Sequence, residues 1–587
     1  MPEYLAPAVY VEETSFRAKS IEGVSTSTTG FVGPTRKGPT SGTPELLTSF
    51  GDFERIYGGY ENLQFSGGEA INYVANAVKN YFDNGGSRLF VARVSTGGAT
   101  AASELIGDGA DDNAKIRFIA RTPGAHGNGS IRISLVSVEA TLQSMRRAPN
   151  GTILIDNTDV YQKVGADWVQ DDDTVFSFDS GTETWADSTD TALPAASSAV
   201  AAFITINVLA VDADGNETFY ENLGLATGHP RYIGDVMSAT PNRRIDQLEN
   251  TYAVTIGSAV DGFRLREILT AVNAPVAVSR NTADTDGTDG TDGAEPVAAA
   301  YAAPLTALAS IEDISIVASP GYSSFATATR QGIQDALITH AETRRAYRIA
   351  VLDTPRAQTP TTALTVKSRI DSSYAALYHP WVFASNPLAQ PGNASVAREI
   401  LLPPSGFVCG IYARNDNTRG VSKSPANETV RGALRFETDV SFADQELLNP
   451  RGVNCLRFFP GRGNRLWGAR TASSDPEWKY VGPRRYFLYL EHSIDRSTQW
   501  AVFENNGSQL WANIRETVSS FLYNEWISGS LLGANTDEAY FVRCDRTTMT
   551  QNDLDNGRLI CLIGVAVLKP AEFVVFRIGQ KTADARS

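Results

Sequence analysis

The sequence predicts a multidomain protein of mixed α+β and α/β class, with a β-rich insertion in its core and a strand-competent segment at each end. Three observations lead there. Between about residues 310 and 415, β-branched runs alternate with helical patterns. Between about 100 and 275 the helical period fades and short β-rich segments recur between acidic turns. At the ends, Ala8-Val-Tyr-Val-Glu-Glu13 and Glu572-Phe-Val-Val-Phe-Arg-Ile578 suit strands, and the first has no hairpin partner nearby.

At 587 residues the chain is long enough for about four folding units at roughly 150 residues each. Its 51 Lys+Arg against 66 Asp+Glu give a net charge of −15, which argues against a nucleic-acid or anionic-membrane surface as the main role. The longest apolar run, Leu559 to Leu568, is about half of the ~20 residues a spanning helix needs. Met1-Pro-Glu-Tyr-Leu-Ala-Pro7 has neither a basic n-region nor an apolar h-region, so no secretory signal is expected. Cys409, Cys455, Cys544 and Cys561 form no CxxC pair and sit among apolar neighbours, which reads as buried free thiols in a reducing cytosol.

Taken in order, Pro2 and Pro7 exclude an early helix and leave an arm over the first 20 residues. Ile71, Val74, Val78 and Phe82 fall at helical spacing before Asp83-Asn-Gly-Gly86 ends that helix, and Arg88 to Val94 reads as a buried strand. Ser130–Val136, Thr174–Phe178 and Ala202–Leu209 are the strands of the insertion. The repeat Thr285-Asp-Gly-Thr-Asp-Gly-Thr-Asp-Gly293 lacks the Glu that closes an EF-hand loop. A flexible, solvated loop is expected there, with calcium binding as the alternative.

Strands over Ile314–Ala318, Tyr347–Leu352 and Ala376–Val382 alternate with helices over Thr329–Thr343, near Thr365–Ser373, and from Ser405, which implies a mainly parallel sheet covered on both faces. Toward the end, a helix over Pro483–Ser497 precedes a strand over Gln499–Glu504. The helix Ser508–Trp526 carries Leu510, Ile514, Val518, Phe521 and Leu522 on its apolar face, and Arg515, Glu516, Asn524 and Glu525 are expected on the face left for a partner. Arg558–Leu568 reads as an apolar strand ended by Lys569-Pro570.

Chemistry-bearing motifs are sparse. His126, His229, His340, His379 and His492 form no metal-spaced cluster, and there is no GxxxxGK[ST] phosphate loop. No cofactor or metal is expected. Asp353, His379 and Ser405 occur in the order of a subtilisin-type triad, but Pro380-Trp381 follows the His and Pro403-Pro404 precedes the Ser, which reads as a helix cap. A hydrolase-like enzyme built on these three residues is one alternative reading; a non-contractile capsid or surface structural protein is another.

Several stretches resemble the tail sheath proteins of contractile phages and of phage-derived contractile injection systems. They are Gly30-Phe-Val-Gly-Pro34, Tyr81-Phe-Asp-Asn-Gly-Gly86 and Leu89-Phe-Val-Ala-Arg93, and more specifically Tyr486–Ile494, Thr498–Glu504, Glu538–Asp545 and Gly564–Ile578. The resemblance covers roughly residues 1–100 and 300–587 and leaves the insertion without a counterpart. The chain then divides into an arm over 1–20, core over 21–100, a β-rich insertion over 101–280 that its polar, acidic turns place at the surface, and a flexible linker over 281–300. The resemblance implies a subtilisin-like, non-catalytic α/β domain over 301–460, a C-terminal α+β domain over 461–570 and a second arm over 571–587.

The family's subunits stack as six-fold rings into a helical tube around an inner tube, with baseplate and terminator proteins at the ends. By resemblance, Val9, Tyr10, Val11 and Glu12 of one arm, and Phe573, Val574, Val575, Phe576, Arg577 and Ile578 of the other, would complete β-sheets in neighbouring subunits. The helix bearing Arg515, Glu516, Asn524 and Glu525 would meet the inner tube. The particle would assemble in the bacterial cytoplasm, without nucleic acid and without insertion into a membrane.

Overall fold

A computed structural model describes residues 20–108, 111–193, 201–272, 274–279, 287–392 and 394–577. Its centre is a nine-stranded sheet in the order 46–47, 89–93, 29–33, 316–318, 349–353, 375–379, 453–459, 463–467, 428–429. The six strands from Leu89–Arg93 to Val453–Phe459 in that order run parallel, and the pairings outside them are antiparallel. Thr29–Gly33, Ile349–Asp353 and Ala375–His379 are buried at every position, as parallel strands covered on both faces must be.

Two cores follow from that geometry. On one face, helices Tyr73–Asp83 and Ser405–Arg419 pack with Phe31, Val91, Val351 and Tyr378. The two helices approach so closely because Gly406 and Gly410, one turn apart, carry no Cβ. Such an atom would stand 2.7 Å from Ala77 Cα at Gly406 and 2.5 Å from the Tyr81 carbonyl at Gly410. On the other face, helices Ala302–Ala309 and Thr327–Glu342 cover Val32, Val317, Ala350 and Leu352.

The insertion is antiparallel, as its alternating strands predict. Ala202–Val211 pairs with Gly129–Glu139 over ten residues within a ten-stranded sheet, and three further strands form a separate sheet. Arg36 fastens it to the core by donating through Nε and Nη2 to the Asp214 carboxylate, the shortest contact being 2.6 Å. The described part of the Asp-Gly repeat is not a solvated loop. Thr288 and Thr291 bridge to Ser103 and Thr100, and Asp292 is buried, accepting from Gln64 N at 2.7 Å and Ala125 N at 3.1 Å. Buried backbone donors recruit the last Asp, a demand that composition cannot reveal.

Three other expectations shift. The helix expected near Thr365–Ser373 spans Pro360–Lys367, because Thr359 caps it in a capping box and Pro360 takes its first position. The segment 499–504 is not a strand: Gln499–Ala501 is a 3-10 turn, since Thr498 Oγ1 and Gln499 Nε2 donate back to Ile494 and Asp495 carbonyls. Arg558–Leu568 supplies only the short strand Leu562–Val565, which pairs with Tyr540–Arg543.

Helices Val481–Ser497 and Ser508–Ile527 form the core of the C-terminal unit with Tyr486, Leu490, Val518 and Leu522. A buried ion pair joins this unit to the sheet: Arg485 donates to both oxygens of Asp416 at 2.9 and 2.6 Å, with both side chains at most 3% exposed. The same guanidinium donates to the Thr26 carbonyl and lies over the Tyr412 ring. No helix among the described residues is long and apolar enough to cross a membrane.

Arg485→Met should therefore lower stability by about 3–5 kcal/mol, because it strands Asp416 without a partner in the interior. Adding Asp416→Leu should restore part of the loss; the midpoints of thermal unfolding compare the two variants.

Candidate functional site

The residues singled out from sequence lie in three places: the two chain ends, the Ser508–Ile527 helix, and the C-terminal tips of the parallel strands. Val9, Tyr10, Val11, Glu12 and Ile578 lie outside the described residues. From Ser20 onward the N-terminal segment runs along helix Val481–Ser497. Glu22 N and Val24 N donate to Ser497 Oγ and Ser493 Oγ at 3.4 and 3.2 Å, and Ser315 Oγ donates to the Thr26 carbonyl. Serines spaced four apart on one helix face make this track, so the chain enters the body beside the C-terminal unit.

At the other end, Glu572 is the last residue held against the protein's own body among those described. Arg470 Nε and Nη2 donate to its carboxylate at 2.7 and 2.5 Å, Asn449 Nδ2 at 2.7 Å, and the Tyr480 hydroxyl at 3.0 Å. Burial pushes this carboxyl up, and the Arg470 and Asn449 donors outweigh it and hold it below its ordinary range. Beyond the clamp, Phe573, Val574, Val575 and Phe576 are 69–83% exposed and belong to no sheet of the chain. Arg577 is exposed as well. Four successive exposed apolar residues are not a stable solvent face.

The helix Ser508–Ile527 keeps Arg515, Glu516 and Asn524 exposed, as expected. Glu525 departs from that pattern. It is half-buried and accepts from the Tyr486 and Tyr489 hydroxyls at 2.9 Å each, so it ties this helix to its neighbour. Burial raises both phenols, which therefore stay protonated and able to donate.

Asp353, His379 and Ser405 all reach the C-terminal tips of the sheet, yet they do not form a relay. Ser405 donates directly to the carboxylate, Oγ to Oδ2 at 2.6 Å and N to Oδ1 at 2.8 Å, as a helix start met by an acidic side chain. His379 Nδ1 instead faces Thr354 Oγ1 at 3.2 Å, and burial lowers the imidazole to about 4. With no imidazole on Ser405 Oγ, the serine–histidine contact that a triad needs is missing. Among the described residues, no group of three His, Cys, Asp or Glu side chains could hold a metal ion.

Two family models match this chain, the phage tail sheath protein central domain over 294–472 and the phage tail sheath C-terminal domain over 473–581. The chain belongs to the contractile tail sheath family. It is 25% identical over 269 residues to a protein assigned as the prophage major tail sheath protein of Pseudomonas aeruginosa (strain UCBPP-PA14), covering 45% of this chain and 64% of that one. It is 23% identical over 177 residues to the tail sheath protein of Enterobacteria phage T4, covering 30% of this chain and 26% of that one. The chain thus spans less than two thirds of the length of these relatives.

Its fold is similar to two sheaths solved in the contracted state. For that of the PVC extracellular contractile injection system the TM-score is 0.52 at 18% identity, covering 99% of both chains. For the helical sheath of the anti-feeding prophage it is 0.52 at 19%, covering 98% of this chain and 99% of that one.

The residues that sequence reasoning missed are Glu572's partners Arg470, Asn449 and Tyr480, and the Arg485–Asp416 pair. Each set joins positions 69 to 123 residues apart with no spacing motif to mark it.

Burial places the Asp353 carboxyl at about 7, against the two Ser405 donors that favour its charged form. The folded state thus holds this proton where the unfolded chain has lost it. The contribution is full below the ordinary carboxylate pKa and is lost as pH rises toward 7, at up to about 1.4 kcal/mol per pH unit. Asp353→Asn should flatten the pH profile of stability between about pH 4 and 7, measured by urea unfolding.

Proposed function

We propose that this protein is the repeating subunit of a contractile tail sheath that drives an inner tube through a target cell envelope. The observation that carries the reading is the segment beyond Glu572: a tethered, exposed apolar run of strand-competent residues that pairs with no strand among the described residues. Such a segment fits addition to a neighbour's sheet, where main-chain hydrogen bonds hold without a large rigid interface. An acceptor of the right kind exists. Tyr540–Arg543 and Leu562–Val565 form only a two-stranded sheet, with Phe541 and Leu562 about half exposed. Two strands alone are marginal, and added strands would complete them.

In this reading Phe573–Ile578 and Val9–Glu12 are the exchanged strands. The bodies stack in six-fold rings about the inner tube, between baseplate and terminator proteins, and the exposed face of Arg515, Glu516 and Asn524 turns to that tube. A head-to-tail contact that does not close gives the open helix such a tube requires. Bodies linked through tethered strands can rotate while the strand pairing stays intact, so the lattice shortens without dissociating. The α/β core serves as a subtilisin-like scaffold without hydrolysis, and the insertion decorates the outside. Assembly takes place in the bacterial cytoplasm.

Deleting 573–587 tests the arm directly. The truncated protein should melt with the full-length chain and form no tubes in negative-stain micrographs. Tubes of ordinary length from the truncated protein would overturn the strand-exchange reading.

A further inference from the structure

Cys544 directly follows the strand Tyr540–Arg543, and Cys561 directly precedes its partner Leu562–Val565. The register pairs Tyr540 with Val565, Phe541 with Gly564, Val542 with Ile563 and Arg543 with Leu562, and continued by one position it sets Cys544 opposite Cys561. Ala566 N donates to the Ala539 carbonyl, which sets the parity of the ladder, with Phe541–Gly564 and Arg543–Leu562 as its hydrogen-bonded positions. Alternation along the ladder then makes Cys544 and Cys561 a non-hydrogen-bonded pair, the site where opposed Cα atoms stand about 4.5 Å apart and side chains are closest. That separation lies within the range of about 4.4–6.8 Å that a disulfide spans. Burial raises both thiols, and each is a lesser influence on the other.

Access differs between the two. Cys544 is fully buried, whereas Cys561 is partly exposed and lines a groove with Leu510, Ile514 and Leu559. Cys409 and Cys455 are fully buried within the central sheet's cores and provide an internal control.

We propose that Cys544 and Cys561 are a redox-active dithiol that a low-molecular-weight disulfide converts to an intramolecular disulfide in the folded protein, stapling the two strands together. The Cys561 thiolate attacks one sulfur of the oxidant, forming a mixed disulfide and expelling one thiolate. Cys544, deprotonated, then attacks Cys561 Sγ and expels the second. Both protein thiols are oxidised, the oxidant is reduced to two thiols, and the two protons lost from the protein appear on them or in solvent. The order of attack follows from access. The same sheet is the proposed strand acceptor, but the reaction is a property of the single chain and does not depend on assembly.

Full-length protein is incubated with excess oxidised glutathione, quenched, unfolded and titrated for free thiols, with peptide mapping under non-reducing conditions. The expected result is a fall from four thiols to two and a single Cys544–Cys561 cross-link. Cys544→Ser should accumulate a glutathione adduct at Cys561, and Cys561→Ser should keep all three of its thiols. Four thiols surviving in the folded wild type, while an unfolded control oxidises, would overturn the proposal. So would a cross-link through Cys409 or Cys455, or a glutathione adduct in Cys544→Ser that falls on a cysteine other than Cys561.

Discussion

The buried Arg485–Asp416 pair is the contact on which the arrangement of the C-terminal unit depends. It joins helix Val481–Ser497 to helix Ser405–Arg419, and its guanidinium also donates to the Thr26 carbonyl of the N-terminal segment. Two charges inside a core are tolerated only when each satisfies the other, so the pair fixes one relative position of the two units instead of adding general stability. Thr26 lies just before Thr29–Gly33, a central strand of the parallel sheet, so the N-terminal entry, the sheet and the C-terminal helices meet at one point.

Around that point the described residues form a packed body with an exposed segment after Glu572. The parallel strands are buried on both faces and held by helices that Gly406 and Gly410 allow to sit close. Glu572 then sets a boundary: four donors hold its carboxylate on the body, and the apolar run after it is exposed. A clamp followed directly by an uncovered strand keeps the point of departure constant while leaving the strand free to pair elsewhere. This is the property a subunit needs if its neighbours are to move without letting go.

The tips of the parallel strands, where α/β proteins commonly place active sites, are used here for structure. Asp353 meets the start of helix Ser405–Arg419 and satisfies both Ser405 donors, and His379 is turned toward Thr354. The order Asp, His, Ser along the chain therefore does not assemble a relay, because Ser405 is bonded to Asp353 instead of to His379.

Local chemistry made much of this legible in the sequence. The strand–helix alternation, the antiparallel insertion and the helix Ser508–Ile527 follow from periodicity, and the resemblance rests on runs such as Tyr486–Ile494. Helix starts moved where a cap decided them, as Thr359 did for Pro360–Lys367, and 499–504 turned because Gln499 capped the preceding helix. What periodicity could not give was every polar contact between distant residues. Asp292 in a segment of solvent-like composition, Glu525 facing two tyrosines, and Arg470 reaching Glu572 answer needs of buried groups that arise only once the chain has packed. The sequence by itself determined the strand–helix alternation of the core and the long C-terminal helices, since those depend on neighbours three or four residues away. Only the tertiary structure decided which charges are paired, because burial sets the cost of an unpaired polar group and the complete packed chain sets burial.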